Sequence, residues 1–302
     1  MLPVEPRSAP LTARLFVALQ HLLPQHLLSR LAYRITRSRA PLVKDALISR
    51  FVRHFQPAMH EAVQTNALSY GSFNEFFTRA LRPQLRPIDP DPNTVVSPVD
   101  GSISQIGSLD GANILQAKGH AYSLQALLSP PAGEADPCDW ASRFVGGAFT
   151  TLYLAPFNYH RIHMPLSGTL RAAWYVPGSL FSVNAVTAAA VAGLFARNER
   201  VICVFEDGPR VFAIVLVGAL FVGSMATVWH GEITPRRPRR PLALHPGPGA
   251  APLRLEKGAE MGRFNMGSTV IVLLQPGMAQ WSEDWRPQDR VVVGQGLARL
   301  IA

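Results

Sequence analysis

Two hydrophobic periods in the sequence predict an α+β protein, a predominantly antiparallel β body preceded by an N-terminal helical section. Between about residues 11 and 63, leucines recur at three- and four-residue spacing, as on one face of a helix. From about residue 95 the pattern becomes short β-branched runs closed by Gly, Pro and Asp, which suits antiparallel strands and their turns. No fixed-period repeat runs through the 302 residues, a length sufficient for one large domain or two ordinary ones.

In "LTARLFVALQHLLPQHLLSRLAYRITRSR", Leu15, Leu19, Leu22 and Leu23 share one side, and Leu27, Leu28, Leu31 and Ile35 repeat the pattern after Pro24. Arg30, Arg34 and Arg37 form a basic stripe beside the second set. Leucines can enter a headgroup boundary while arginines meet anionic lipid, so this region is expected to associate with a membrane surface. The alternative is helices docked on the body with solvated arginines. A short helix near 72–80 leads into an arm where Pro83, Pro87, Pro90 and Pro92 stop regular structure. Residues 1–90 thus read as a basic helical region with its arm, and 91–302 as the β-rich domain.

Within that domain, strands are expected in "GSISQIGSL", "AFTTLYLA", "GTLRAAWYV", "RVICVFED", "RVFAIVLVGALFVGSM" and "STVIVLL". Short helices are expected at 122–128 and 185–195. The segment 234–254, rich in Pro and Arg, reads as an exposed loop. Residues 211–229 carry no charge over a length that could span a bilayer, but Gly218 and Gly223 divide them into strand-sized pieces. Consecutive buried strands are therefore expected there.

Composition narrows the class. A hydrophobic fraction of 48% suits a globular core, and the formal net charge of +9 lies mostly in the first third of the chain. A basic end can meet nucleic acid or anionic lipid; the leucines beside the arginines favour lipid, and no nucleic acid is expected. Cys138 and Cys203 form no ligand cluster, so neither a disulfide framework nor a zinc site is expected. The start of the chain lacks a long apolar segment with a small-residue cleavage site, and the protein is expected to be unexported.

Three places carry chemistry. In "SPVDGSI", Asp100 precedes Gly101, a pair commonly found in turns. In "LYLAPFNYHRIHMPLSG", His160 and His163 lie three apart, with no third metal ligand nearby. In "EKGAEMGRFNMGSTVIVLL", Gly267 and Ser268 stand at the head of an apolar strand. A hydroxyl, a base and a group that orients the base make a nucleophilic trio. Ser268, one of the histidines and Asp100 could supply one. A serine hydrolase is one outcome, although no GxSxG surrounds Ser268 and a strand rather than a helix follows it. A noncatalytic lipid-binding protein is another. In a third, Ser268 attacks the open carbonyl of Gly267 itself; an N-to-O acyl shift and β-elimination then leave a dehydroalanine that hydrolyses to a pyruvoyl group.

The blocks "SPVDGSISQIG", "ILQAKGHAYSLQALL", "YLAPFNYHRIHMPLSGTL", "YVPGSLFSVN", "LFARNERVICVFE", "VGALFVGSMATVW" and "KGAEMGRFNMGSTVIVLL" occur in order. Through them the chain, from about residue 40 to 300, resembles the bacterial-type phosphatidylserine decarboxylase proenzymes. That resemblance implies self-cleavage between Gly267 and Ser268, where Met266 replaces the family's frequent Leu. It implies a large chain 1–267 and a small chain 268–302 that stay associated, with Ser268 converted to a covalent pyruvoyl cofactor and no metal. Asp100 matches the relay aspartate, His163 the relay histidine, and His160 a histidine near the substrate with a possible proton-transfer role. Asn158 stands where many relatives carry Asp. The implied substrate is phosphatidylserine in an anionic membrane, converted to phosphatidylethanolamine and CO2. The implied location is peripheral, on the cytoplasmic side of the cell membrane, with a homo-oligomer left open.

Overall fold

The computed structural model describes residues 11–117, 120–129, 139–221, 224–234, 240–244, 251–266 and 269–301. The helical section consists of α1 (Leu11–Leu22), α2 (Gln25–Thr36), α3 (Pro41–Phe55) and the short α4 (Phe73–Phe77). Pro24 breaks α1 from α2, and Pro41 opens α3 at a position where its missing N–H costs nothing. Ser72 caps α4 by accepting from the Glu75 N–H at 3.2 Å.

The helices α1 and α2 sit on the β body with their polar residues inward. Gln20 accepts from the Ser182 N–H at 2.7 Å, and Gln25 from the Leu180 N–H at 2.7 Å. The Ser29 hydroxyl accepts from the Phe221 N–H at 3.2 Å. These side chains satisfy loop donors that no strand pairs, so burying them costs little. The leucines face out: Leu22 is 82% exposed, Leu27 58%, Leu31 54% and, on α3, Leu42 89%. Arg37 is committed elsewhere, ion-paired to Glu232 and stacked 3.7 Å over the Tyr33 ring. Of the predicted basic stripe, Arg30 bonds its Nε to the His26 carbonyl at 3.1 Å.

The β body is built on a nine-stranded sheet whose pairings are antiparallel. Its order runs Leu242–Ala243, Gly168–Val176, Arg200–Asp207, Arg210–Val217, Thr269–Leu274, Ala148–Tyr153, Gly101–Ser108 and Arg290–Val291, with Arg254–Leu255 also on Gly168–Val176. The central strand Thr269–Leu274 is buried along its whole length, between Arg210–Val217 and Ala148–Tyr153. A buried strand with apolar residues on both faces explains why "TVIVLL" shows no alternation. A second, four-stranded sheet runs Gly231–Glu232, Met225–Thr227, Glu260–Phe264, Arg161–His163.

The uncharged segment 211–229 is divided as expected, into Arg210–Val217 of one sheet and Met225–Thr227 of the other. Among the described residues no helix is long and apolar enough to cross a membrane. The helix expected over 185–195 is two pieces, Ala185–Ala190 and Leu194–Arg197, because Gly193 takes a left-handed φ of 65° between them. Of the loop 234–254, residues 235–239 and 245–250 lie outside the described residues, and the remainder supplies two short edge strands.

Candidate active site

Gly267 and Ser268 lie outside the described residues, but their neighbours Met266 and Thr269 do not. Thr269 opens the central strand, in register with Tyr153 on one side and Val217 on the other. Met266 packs against the cluster of Phe51, Phe73, Phe76 and Phe77 that joins α3 to α4. The predicted cut therefore falls where the second sheet hands the chain to the centre of the first.

His160 is fully buried. Its carbonyl accepts from the Phe264 N–H at 3.0 Å, and its Nδ1–H donates to the Asn158 carbonyl at 2.8 Å. The ring lies 4.1 Å from that of Phe77, and Nε2 has no partner. Burial pushes the imidazole pKa down to about 3, Arg79 adds to the effect, and the Asn158 bond opposes it. The ring is therefore neutral, with its free nitrogen a lone-pair acceptor.

His163 ends the strand Arg161–His163, whose last N–H donates to the Pro98 carbonyl at 2.8 Å. Its Nδ1–H donates to the Gly258 carbonyl at 2.7 Å, so Nε2 is the acceptor and takes the Tyr159 hydroxyl at 3.1 Å. Burial lowers its pKa, against the opposing Gly258 bond and the Glu260 charge. Desolvation of its phenol pushes Tyr159 up to about 12, which keeps it a donor at neutral pH.

Asp100 is 5% exposed and held on several sides. Arg86 donates from Nε at 2.9 and 3.0 Å and from Nη2 at 2.5 Å, and the Val293 N–H adds a bond of 2.9 Å. Arg86 also reaches Glu61 at 2.7 Å. Its guanidinium pKa is raised, first by the bond to Asp100. No hydrogen bond joins Asp100 to His163; the Gly258 carbonyl fixes the tautomer, and the Asp100 charge reaches the imidazole through space. The Asp-Gly pair is also not a free turn. Gly101 begins a strand, and a Cβ there would lie 2.5 Å from the Tyr153 carbonyl oxygen, so the glycine allows the two strands to close.

The exchange at Asn158 touches neither imidazole through its side chain. Oδ1 accepts from the Ala155 N–H at 2.8 Å, and it is the backbone carbonyl that meets His160.

Two cavities flank this region and share Tyr153 as a wall. One, of about 490 Å³, is lined by Arg79, Arg86, Asp100, Asn158 and Tyr159. The other, of about 280 Å³, is lined by Phe51, Phe55, Phe77, Phe221 and Met266. Phe221 has a left-handed φ of 63°, a strained conformation for an aromatic residue, and Ser29 of α2 holds its N–H. Two polar atoms near the cut have unused hydrogen-bonding capacity, His160 Nε2 and, in the residue after Ser268, Thr269 Oγ1. A hydroxyl such as Thr269 Oγ1 can donate to a carbonyl oxygen, whereas His160 Nε2, a lone-pair acceptor, can only receive a proton. Among the described residues no cluster of three His, Cys, Asp or Glu could hold a metal.

Arg79, Arg86, Tyr159 and Gly258 were not singled out by sequence. Arg86 lies in the proline arm, where its charge gave no sign of an aspartate across the fold. Arg79 follows the aromatic run of α4 and is 3% exposed, with Nε and Nη1 unpartnered.

Comparison with known proteins identifies the family of the chain. The family model described as phosphatidylserine decarboxylase matches residues 73–299, and one described as PSD matches 15–56. The phosphatidylserine decarboxylase proenzyme of Bordetella pertussis is 48% identical over 289 residues, covering 96% of this chain and 95% of its own. That of Stutzerimonas stutzeri is 49% identical over 288 residues, with 95% and 94% covered, and that of Azotobacter vinelandii 47% over 291, with 95% and 98% covered. With most of its length matched by the family model and nearly all of it aligned to these relatives, the chain belongs to the phosphatidylserine decarboxylase family.

Proposed function

We propose that this chain is a proenzyme that cuts itself between Gly267 and Ser268 and then decarboxylates phosphatidylserine to phosphatidylethanolamine. The observation that carries the proposal is the strand register, in a chain of this family: Ser102, two residues after Asp100, and Thr269 both stand opposite Tyr153, while His160 and His163 are bonded and paired to the strand Glu260–Phe264 that leads toward the cut. His163 is suited to take the Ser268 hydroxyl proton: its lowered pKa keeps it neutral, and its Nδ1–H bond leaves Nε2 as the base. Tyr159 must yield that nitrogen during the transfer. Asp100, paired with Arg86, favours the resulting imidazolium through space.

After the cut, the small chain stays in place because Thr269–Leu274 keeps its ladders on both sides. A pyruvoyl group derived from Ser268 would supply an amine-reactive carbonyl and an electron sink for the charge left as CO2 departs. His160, neutral and with a free Nε2, is suited to hold or pass a proton beside that position. The phenylalanines of the Met266 cavity give it mainly apolar walls, surroundings in which charge interactions with the reacting atoms are stronger than in water.

The protein is further proposed to sit peripherally on the cell membrane through α1, α2 and the start of α3. Support comes from the inverted docking of these helices, glutamines and serine inward and leucines outward. Left in water those leucines would form an exposed apolar patch of the kind that marks an interaction surface.

Intact mass of the denatured protein tests the central step. Two chains, 1–267 and 268–302, with a borohydride-reducible group on the smaller, are expected, and Ser268→Ala and His163→Ala should leave one chain. A single unmodified chain that nevertheless decarboxylates phosphatidylserine would overturn the proposal.

A further inference from the structure

The last turns of α3 stand between two cavities. Phe51 and Phe55, four residues apart, wall both the Met266 cavity and a second, more open one of about 580 Å³. That second cavity has two chemistries. Leu47 and Phe73 add to its apolar wall, while Arg50, Arg53 and His54 supply its polar side. Arg53 and His54 follow Arg50 by three and four residues, so the three side chains rise from one helix face. No acidic side chain lines the cavity, and among the described residues neither arginine enters an ion pair. Arg86, by contrast, is occupied by Asp100 and Glu61.

Free cations beside an apolar hollow suit an anion that carries an apolar body. We propose that this cavity is the subsite for the phosphodiester of the lipid substrate, held by Arg50 and Arg53, with the serine end passing Phe51 and Phe55 into the Met266 cavity. The inference rests on the decarboxylase reading. The two ends of the head group make different demands on charge. A cation on the carboxylate would stabilise the ground state, because the negative charge leaves that group as CO2 departs. A cation on the phosphodiester meets a charge that does not change, so it binds substrate and transition state alike. Its loss should therefore raise KM and spare kcat.

The test uses the full-length processed protein carrying Arg50→Gln with Arg53→Gln, assayed on dihexanoyl phosphatidylserine below its micelle concentration, where no lipid surface exists. KM should rise roughly tenfold with kcat within about twofold, and the Arg50→Lys, Arg53→Lys pair should recover most of the loss. O-Hexylserine, which has the amine and carboxylate but no phosphate, should show the same KM in parent and variant. Calorimetric binding of dihexanoyl phosphatidylserine to the Ser268→Ala chain should weaken by a similar factor when both arginines are replaced. Three results would overturn the subsite. The first is a loss seen only with vesicles, which makes the arginines a surface attractor. The second is an equal loss on O-hexylserine, which means a deformed site. The third is a phosphate-specific loss in Arg79→Gln alone, which moves the anion to the Asp100 cavity. If the unaltered processed chain decarboxylates nothing, the enzyme reading fails instead, and the calorimetric comparison still decides the subsite.

Discussion

Acidification should destabilise this protein through His160 by an amount that can be worked out. The folded chain holds its imidazole at a pKa of about 3, whereas the ordinary value is 6.5. Between those two values the unfolded chain binds a proton at this residue that the folded chain does not. Stability is therefore fully present above about pH 6.5 and is lost as the pH falls toward 3. From pH 7 to pH 5 the loss from this residue alone comes to about 2 kcal/mol. His163, also lowered by burial, adds a loss of the same sign. The assay is urea unfolding at pH 7, 6 and 5 of the Ser268→Ala chain, with and without His160→Asn. Asparagine is small enough for the site and does not titrate. The chain that keeps His160 should lose about 2 kcal/mol more over this range than the one carrying His160→Asn. Parallel losses would show that His160 titrates alike in both states, and the argument from burial beside Phe77 and Arg79 would fail.

Two further outcomes are expected. Arg86→Met strips three of the four hydrogen bonds from a nearly buried Asp100 carboxylate and leaves the Val293 N–H, which should cost about 3 kcal/mol in urea unfolding, with partial recovery in Arg86→Lys. An unchanged midpoint would mean that water replaces the guanidinium at no cost. Replacing Leu22, Leu27 and Leu31 by Gln removes exposed apolar area worth about 1 kcal/mol each at a lipid boundary, so vesicle co-sedimentation should fall by more than about tenfold while thermal unfolding stays put. A drop in melting temperature with binding intact would make these leucines part of the core.

The strands of the central sheet were legible because each is a short β-branched run between turn residues, and "TVIVLL" could hardly be anything else. The strand Glu260–Phe264 was not, since Glu260, Gly262 and Arg263 interrupt its apolar residues. Its position comes from pairing with Arg161–His163 and Met225–Thr227, and no local pattern encodes partners so far away. The leucine periodicity of α1 and α2 was readable, but which face they turn to the body was not. That depended on loop N–H groups at Leu180, Ser182 and Phe221 that needed acceptors, and Gln25, Gln20 and Ser29 supplied them.

By itself, the sequence determined the α+β class, the buried strand that starts at Thr269, and the identity of Asp100, His160 and His163 as groups worth following. Those are properties of short segments and of residue types, which the chain carries wherever it folds. Only the tertiary structure decided what each group faces: Arg86 against Asp100, the Gly258 carbonyl against His163, Phe77 and the neighbourhood of Arg79 against His160. Protonation state and tautomer follow from desolvation and hydrogen-bond partners, and both are supplied by segments distant in sequence that meet only when the two sheets and α4 pack together.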